Sequence, residues 1–170
     1  MKITIAGASG FVGRALTRTL LEKGHDITGV GTSRVHPMQA MPTFSWISAD
    51  TSRPGAWQAA VESADAVVNL TGRSIFKRWT RTYKERIVES RLKTTENIVS
   101  AMTGSKQALV STSAIGYYGS RGDETLTEVS TPGDDFLARL SVDWERAALE
   151  AEKRGVRVAI MRFGVVLGVG

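Results

Sequence analysis

The feature that most constrains the fold is a glycine-rich turn between a short apolar segment and an amphipathic one at the start of the chain. Lys2–Ala6 is a short β-type run, and residues 7–13 read Gly-Ala-Ser-Gly-Phe-Val-Gly. Apolar side chains then recur at helical spacing from Gly13 to Lys23, and Gly24 stands where a C-terminal cap belongs. The order strand, glycine turn, helix predicts the first βα unit of a doubly wound sheet.

Glycines in such a turn serve an anionic ligand. They allow a tight reversal, a close approach of the backbone to a pyrophosphate, and close packing of the helix on the strand. The first N–H groups of the helix and its positive end then hold the phosphates. The alternative is a plain strand–helix turn with incidental glycines. The residues that we expect to contact a dinucleotide here are Gly7, Ser9, Gly10, Phe11, Val12 and Gly13.

Strands and helices alternate along the rest of the chain. Further strands are predicted at Ile27–Gly31, Phe44–Ser48, Ala66–Leu70, Ala108–Thr112 and Val156–Arg162. Further helices are predicted at Pro54–Ser63, Thr80–Met102 and Asp134–Arg154. The alternation predicts the α/β class: one doubly wound parallel sheet with helices on both faces, a Rossmann dinucleotide-binding domain over residues 1–170. Because the last strand runs straight into glycines, we expect this chain to be the first part of a longer protein.

The end of the second strand bears on the choice of dinucleotide. An NAD site usually has an acidic residue about 20 residues past the turn, for the ribose 2′-hydroxyl. No Asp or Glu occurs between Ile27 and Ser48, and Thr32, Ser33 and Arg34 stand there instead. A guanidinium with flanking hydroxyls suits a 2′-phosphate, so we expect NADP, with NAD the second choice. The alternative is that Arg34 is a solvated loop residue.

Asp50 follows the third predicted strand. It is a candidate acceptor for an adenine amino group. A helix N-cap for the region of Thr51–Pro54 is the other interpretation.

The positive charge of the chain is local. The whole chain carries +5, whereas the segment from Arg73 to Lys93 alone has eight basic and two acidic residues. Three interpretations stay open: a solvated helix face with Trp79 and Tyr83 in the core stripe, attraction of an anionic ligand, or nucleic-acid binding, which the helical spacing of the aromatics disfavours.

Composition narrows the remaining classes. The chain has no cysteine, so disulfides and thiolate metal sites are excluded. His25 and His36 are its two histidines and stand 11 residues apart, so no metal site is expected. No apolar run suggests a membrane span or a signal peptide, and a cytoplasmic protein is the default.

Several motifs together resemble an extended or atypical short-chain dehydrogenase/reductase. Beside the glycine turn they are residues 69–72 (NLTG), 91–97 (RLKTTEN) and 111–119 (STSAIGYYG). A more specific set is similar to the "epimerase family protein" group of NAD(P)-dependent sugar-nucleotide epimerases. That set comprises residues 90–92 (SRL), 116–119 (GYYG), 143–145 (DWE) and 162–168 (RFGVVLG).

The resemblance implies a smaller C-terminal substrate domain, which is absent from this chain, and it implies further site residues. Leu70, Thr71 and Gly72 would lie along the nicotinamide-side ribose, and Arg91 would face the cofactor. Ser113 matches the serine that hydrogen-bonds the reacting hydroxyl or carbonyl.

One departure from the family concerns its acid/base pair, Tyr-x-x-x-Lys. None of the three tyrosines is followed by lysine at that spacing, and Leu140 and Trp144 stand at the two positions. Tyr117, close after Ser113, is a candidate to supply the phenol from a loop; packing, with its hydroxyl in water, is the commoner role.

Two functions follow as hypotheses. The first is an NADP(H)-dependent epimerase or reductase that moves a hydride on a small polar substrate, nucleotide-linked ones included. The second is a non-catalytic sensor or scaffold that keeps NADP(H) without the acid/base pair. A homodimer is left open.

Overall fold

The computed structural model describes residues 1–168, and in it one six-stranded sheet organises the chain. The strands are β1 (Lys2–Ala6), β2 (Asp26–Gly31), β3 (Phe44–Ser48), β4 (Ala66–Asn69), β5 (Ala108–Ala114) and β6 (Arg157–Phe163). All five neighbouring pairs are parallel, and the strand order is β3-β2-β1-β4-β5-β6. The predicted doubly wound α/β fold is confirmed.

Four α-helices connect the strands. They are α1 (Phe11–Glu22), α2 (Gln58–Glu62), α3 (Arg81–Ala101) and α4 (Phe136–Leu149). Two helices are shorter than the sequence predicted. Turns occupy the start of the stretch predicted as the second helix, and the end of α4 tightens into a 3₁₀ segment, Glu150–Arg154.

The core lies on both faces of the sheet because side chains alternate along each strand. Ile3 and Ile5 pack with Leu21 of α1 in one cluster, whereas Ala6 belongs to a second cluster with Ile98 of α3. Both faces are thus covered, as a parallel sheet requires. No helix among the described residues is long and apolar enough to cross a membrane.

The basic helix differs from the prediction at its start. Ile87, Ile98 and Met102 are buried, but Trp79 is 38% exposed, so its assignment to the core stripe was wrong. The reason is that Trp79 precedes the helix. Thr80 is the N-cap, and its hydroxyl oxygen accepts from the Tyr83 N–H at 3.2 Å.

Candidate functional site

The glycine turn lies at the point where the strand order reverses. The chain runs outward from β1 to β2 and β3, and then returns to place β4 on the other side of β1. A crevice forms at the carboxyl ends of the strands at such a point, and ligands of open α/β sheets bind there. The turn follows β1, and Leu70, Thr71 and Gly72 follow β4 at the same edge.

Two glycines of the turn cannot carry a side chain. Gly7 has a φ of +84°, and a Cβ atom on it would lie 2.9 Å from the Leu70 carbonyl oxygen. A Cβ on Gly13 would lie 2.2 Å from the carbonyl oxygen of Gly7. The first glycine therefore brings the turn against β4, and the last brings α1 against the turn.

The N-terminus of α1 has no side-chain cap. Its N-cap is Gly10, whereas the N-caps of α3 and α4, Thr80 and Asp135, each accept a hydrogen bond from a first-turn N–H. The first N–H groups of α1 therefore depend on solvent or a ligand. The helix end carries a partial positive charge, which favours an anion.

A groove of about 660 Å³, here called the polar half, opens beside this turn. Of the predicted residues, it is lined by Gly7, Ser9, Gly10, Thr32, Asp50, Leu70, Thr71 and Gly72. Three basic residues of the segment 73–93 also line it, namely Arg73, Arg86 and Lys93. Glu89 lines it as well and pairs with Lys93 at 2.7 Å, so Arg73 and Arg86 carry the excess positive charge of this segment that the ligand-attraction hypothesis requires.

Asp50 precedes a turn and not a helix, since α2 begins only at Gln58, so the N-cap interpretation of Asp50 was wrong. Its carboxylate accepts from the Ser52 N–H at 3.1 Å and from the Ser52 hydroxyl at 2.7 Å, so it organises the turn after β3. The hydroxyl hydrogen bond, the largest contribution, lowers the pKa of Asp50. The same residue lines the polar half, where its second oxygen has no hydrogen bond from the described residues.

The segment Thr32–Arg34 is exposed at the end of β2. Thr32 lines the polar half, and the Ser33 carbonyl accepts from the Trp46 indole at 3.0 Å. Arg34 and Ser33 lie beyond the lining of that half as the described residues define it. The two side chains are close to the groove in sequence, and their contact with a ligand stays a prediction.

A second groove of about 510 Å³, here called the apolar half, lies on the other side of β4. Leu140 and Trp144 of α4 line it together with Val12 and Ser113. The two positions of the missing acid/base pair are therefore apolar in space as well as in sequence. Leu70, Thr71 and Gly72 line both halves, which makes the two halves one continuous groove.

Arg91 lies between α3 and the loop after β4. A Cβ on Gly72 would be 3.0 Å from its guanidinium carbon, which also lies 5.1 Å from the centre of the Trp144 ring. The Arg91 guanidinium donates hydrogen bonds to two backbone carbonyls, those of Arg73 and Ile87. Desolvation lowers the pKa of Arg91. A partly buried guanidinium with carbonyl partners on the rim of the apolar half suits an anionic ligand group.

Ser113 belongs to a buried ionic cluster that the sequence did not predict. Its hydroxyl donates to Glu145 Oε1 at 2.6 Å, and Arg162 binds both carboxylate oxygens of Glu145 at 2.8 Å. Arg162 also donates to the Tyr118 hydroxyl at 2.8 Å. The hydrogen bond to Glu145 is the main reason that the pKa of Arg162 is raised, so its charge is secure.

Tyr117 is placed by the same cluster. Its ring centre lies 3.5 Å from the guanidinium carbon of Arg162 and 5.2 Å from the Tyr118 ring. Within residues 1–168 the lining of the apolar half includes Ser113 and omits Tyr117. The structure therefore brings one of the two predicted catalytic residues to the groove, and the role of Tyr117 stays a prediction.

The Thr95 hydroxyl connects three elements around the groove. It accepts from the Asn69 amide of β4 and from the Trp144 indole of α4, both at 2.9 Å. It donates to the Arg91 carbonyl within α3 at 2.8 Å. The side-chain oxygen of Asn69 in turn accepts from the Thr71 hydroxyl, which connects the segment after β4 to the same hydrogen-bond network.

Two predicted turn residues, Phe11 and Gly13, are not among the described lining of either half, and their contact with a ligand stays a prediction. Gly13 is buried against the turn, and Phe11 is 43% exposed, with its ring 2.7 Å from the position of a Cβ on Gly168.

The sequence analysis did not assign five residues that lie at or beside the site, namely Arg73, Arg86, Lys93, Glu145 and Arg162. The first three were visible only as a charge cluster, and nothing in the spacing of Glu145 and Arg162 marks them as partners.

Comparison with known proteins agrees with this geometry. The model of the NAD dependent epimerase/dehydratase family matches residues 3–170. The chain belongs to this family. This is the family that the motifs indicated. Its fold holds the glycine turn, the segment after β4 and Ser113 of β5.

Individual relatives cover the chain almost completely. The "epimerase family protein SDR39U1 homolog, chloroplastic" of Arabidopsis thaliana is 36% identical over 99% of the chain and 50% of its own length. The human epimerase family protein SDR39U1, solved with NADPH, is 32% identical with a TM-score of 0.75, over 100% of this chain and 56% of that one. The chain thus spans about half the length of the relatives it matches.

A more distant structure supports the fold alone. UDP-glucuronic acid 4-epimerase from Bacillus cereus, in complex with NAD, has a TM-score of 0.83 at 18% identity, over 99% of this chain and 58% of that one.

Proposed function

We propose that this chain binds NADP(H) in the continuous groove and serves an epimerase or reductase that transfers a hydride on a small polar substrate, nucleotide-linked ones included. The observation that carries the proposal is the junction of the two halves at Leu70, Thr71 and Gly72. In a dinucleotide the pyrophosphate joins an adenosine end to a nicotinamide end. Such a ligand fits a groove in which a polar half, for the adenosine and the phosphates, meets an apolar half, for the nicotinamide ring. The human relative solved with NADPH supports the choice of ligand.

The chain's own residues suit that ligand at each part. The glycine turn and the uncapped α1 would hold the pyrophosphate, and Asp50 would accept from the adenine amino group. Arg91 would attract an anionic group near Gly72. Ser113 would hydrogen-bond the reacting oxygen from the floor of the apolar half. When bound, the dinucleotide supplies a nicotinamide ring that accepts or donates the hydride.

The preference for NADP over NAD depends on Thr32, Ser33 and Arg34. These side chains are exposed after β2, in a stretch without any acidic residue that could bind a 2′-hydroxyl or repel a 2′-phosphate. Arg34 is the cation among them. A guanidinium–phosphate contact is charge-assisted and is lost with the side chain.

Titration of the chain with NADPH and NADH tests this preference. For Arg34→Ala we expect NADPH affinity to fall about tenfold or more and NADH affinity to stay unchanged, because only one ligand has the phosphate. Arg146→Ala, an exposed arginine on α4 outside both halves, is the control. Equal affinity for both dinucleotides that survives Arg34→Ala would contradict the proposal.

A second function, an NADP(H) sensor or scaffold, is favoured by one observation. Leu140 and Trp144 line the apolar half where the family carries its tyrosine and lysine. The absorbance of the reduced nicotinamide distinguishes the two functions. If the protein binds NADP(H) but never changes its oxidation state with a panel of sugar nucleotides and small carbonyl compounds, the sensor is favoured. The substrate and a homodimer stay predictions.

A further inference from the structure

The apolar half contains a serine whose hydrogen bond already has a fixed direction. Ser113 lines this half and is 3% exposed. A serine hydroxyl has one proton and two lone pairs, and it normally rotates to suit its partner. Here the hydroxyl lies 2.6 Å from Glu145 Oε1, and an ionised carboxylate only accepts. The serine proton is therefore committed to Glu145.

Arg162 forms a two-point ion pair with Glu145. Two parallel N–H···O bonds of 2.8 Å join the guanidinium to both carboxylate oxygens, which is the arrangement typical of a full ion pair. The side chains are only 19% and 10% exposed, so little water competes. The Tyr118 hydroxyl and the Glu128 carbonyl occupy a further nitrogen of Arg162, which holds the guanidinium in place.

We propose that Ser113 is a dedicated hydrogen-bond acceptor, and that the apolar half therefore selects the alcohol form of its ligand over the carbonyl form. An alcohol donates to the free lone pair of the serine oxygen. A carbonyl oxygen would face another acceptor with no proton between them, and would be buried without a partner. Glu145 thus acts as a positioning residue that sets the polarity of Ser113. The inference rests on the proposed function and narrows it: the substrate would enter as an alcohol whose carbon gives up the hydride, as in an epimerase, and not as a carbonyl to be reduced.

A matched pair of small probes, cyclohexanol and cyclohexanone, tests this selection. Binding to the chain is measured by ligand-detected NMR, without cofactor and at saturating NADPH. The alcohol should bind about tenfold more tightly than the ketone. Ser113→Ala should remove the difference by weakening the alcohol. Ser111→Ala is the matched control, since this buried serine lies two residues away on β5 and its hydroxyl has no hydrogen-bond partner within residues 1–168.

The direction of the hydrogen bond between Ser113 and Glu145 can be measured separately. A serine proton held by a carboxylate at this distance should give a downfield, slowly exchanging hydroxyl resonance that disappears in Ser113→Ala. Glu145→Gln should shift that resonance and narrow the alcohol preference, because the amide can donate to the serine and release its proton. If that variant does not fold, the comparison of wild type with Ser113→Ala and Ser111→Ala still decides.

The outcomes separate this inference from the proposed function. Equal binding of the two probes to wild type, or tighter binding of the ketone, overturns the inference whether or not NADPH binds. An alcohol preference that persists in Ser113→Ala overturns it as well. Loss of NADPH binding with an intact, serine-dependent alcohol preference would overturn the cofactor proposal and leave this one standing.

Discussion

Replacing Gly13 by alanine would place a methyl carbon 2.2 Å from the Gly7 carbonyl oxygen and 2.7 Å from the Ala8 Cα. Both neighbours are backbone atoms, so no side chain can rotate away. Ordinary contact begins at about 3.4 Å, and α1 must therefore move away from the turn by about 1 Å. That displacement carries the first N–H groups of the helix with it.

The magnitude follows from two opposing effects. Overpacking of this kind costs about 1–3 kcal/mol, whereas alanine gains about 1 kcal/mol over glycine within a helix. The difference leaves a net loss of up to about 2 kcal/mol in the free energy of unfolding, which lowers Tm by up to several degrees. The effect on ligand affinity should be larger. Loss of one hydrogen bond to a charged group costs about 1.5–3 kcal/mol, which is tenfold or more in Kd.

Thermal unfolding and NADPH titration of the same samples measure the two effects. Gly55→Ala is the control, because its methyl would be in ordinary contact with the Trp57 ring at 3.5 Å, outside both halves of the groove. A Gly13→Ala protein with wild-type Tm and wild-type NADPH affinity would refute the reasoning. So would a variant with normal affinity and a large loss of stability, since the helix would then have moved without mattering to the ligand.

Two further predictions concern charge around the groove. Arg91→Met should weaken NADPH binding about tenfold by titration while changing the urea midpoint little, because it removes a cation whose desolvation already opposes its charge; an unchanged Kd would contradict the placement of an anion near Gly72. The hydrogen bond from the Ser52 hydroxyl is the main reason that the pKa of Asp50 is lowered. The ionised carboxylate therefore adds to the stability of the fold. This contribution is present above the ordinary pKa of an aspartate, near 4, and is lost as the pH falls through the lowered pKa. Ser52→Ala should move the Asp50 titration upward, as followed by NMR, and a titration that does not move would show that the hydroxyl has no such effect.

The sequence sufficed for the fold because the fold depends on local patterns. β-branched runs and helical spacing predicted all six strands and all four helices, and the parallel arrangement followed from their alternation. The glycine turn was predictable for the same reason, because glycine is required at positions 7 and 13 by steric contacts, most of them within a short stretch of chain. Errors occurred where an element ends: Trp79 was assigned to a helix that begins only after Thr80.

The ionic cluster was beyond such reasoning. Glu145 and Arg162 are 17 residues apart in different elements. Arg162 is the register partner of Ser113 in the β5–β6 pair, and only the packing of α4 on these strands brings Glu145 to both. Periodicity says which face of α4 is buried, but it does not say that a carboxylate on that face finds a guanidinium. The departure at Leu140 and Trp144, in contrast, was readable because a motif defines its positions by spacing alone.

The Thr95 hydroxyl has a consequence for how binding could be observed. With one proton given to Arg91 and lone pairs taken by Asn69 and Trp144, all of its capacity is used. Any shift of β4 toward or away from a ligand must therefore alter the hydrogen bond of the Trp144 indole on the far side of the same oxygen. The fluorescence emission of Trp144 should therefore change when a ligand binds, even if that ligand touches only the polar half of the groove.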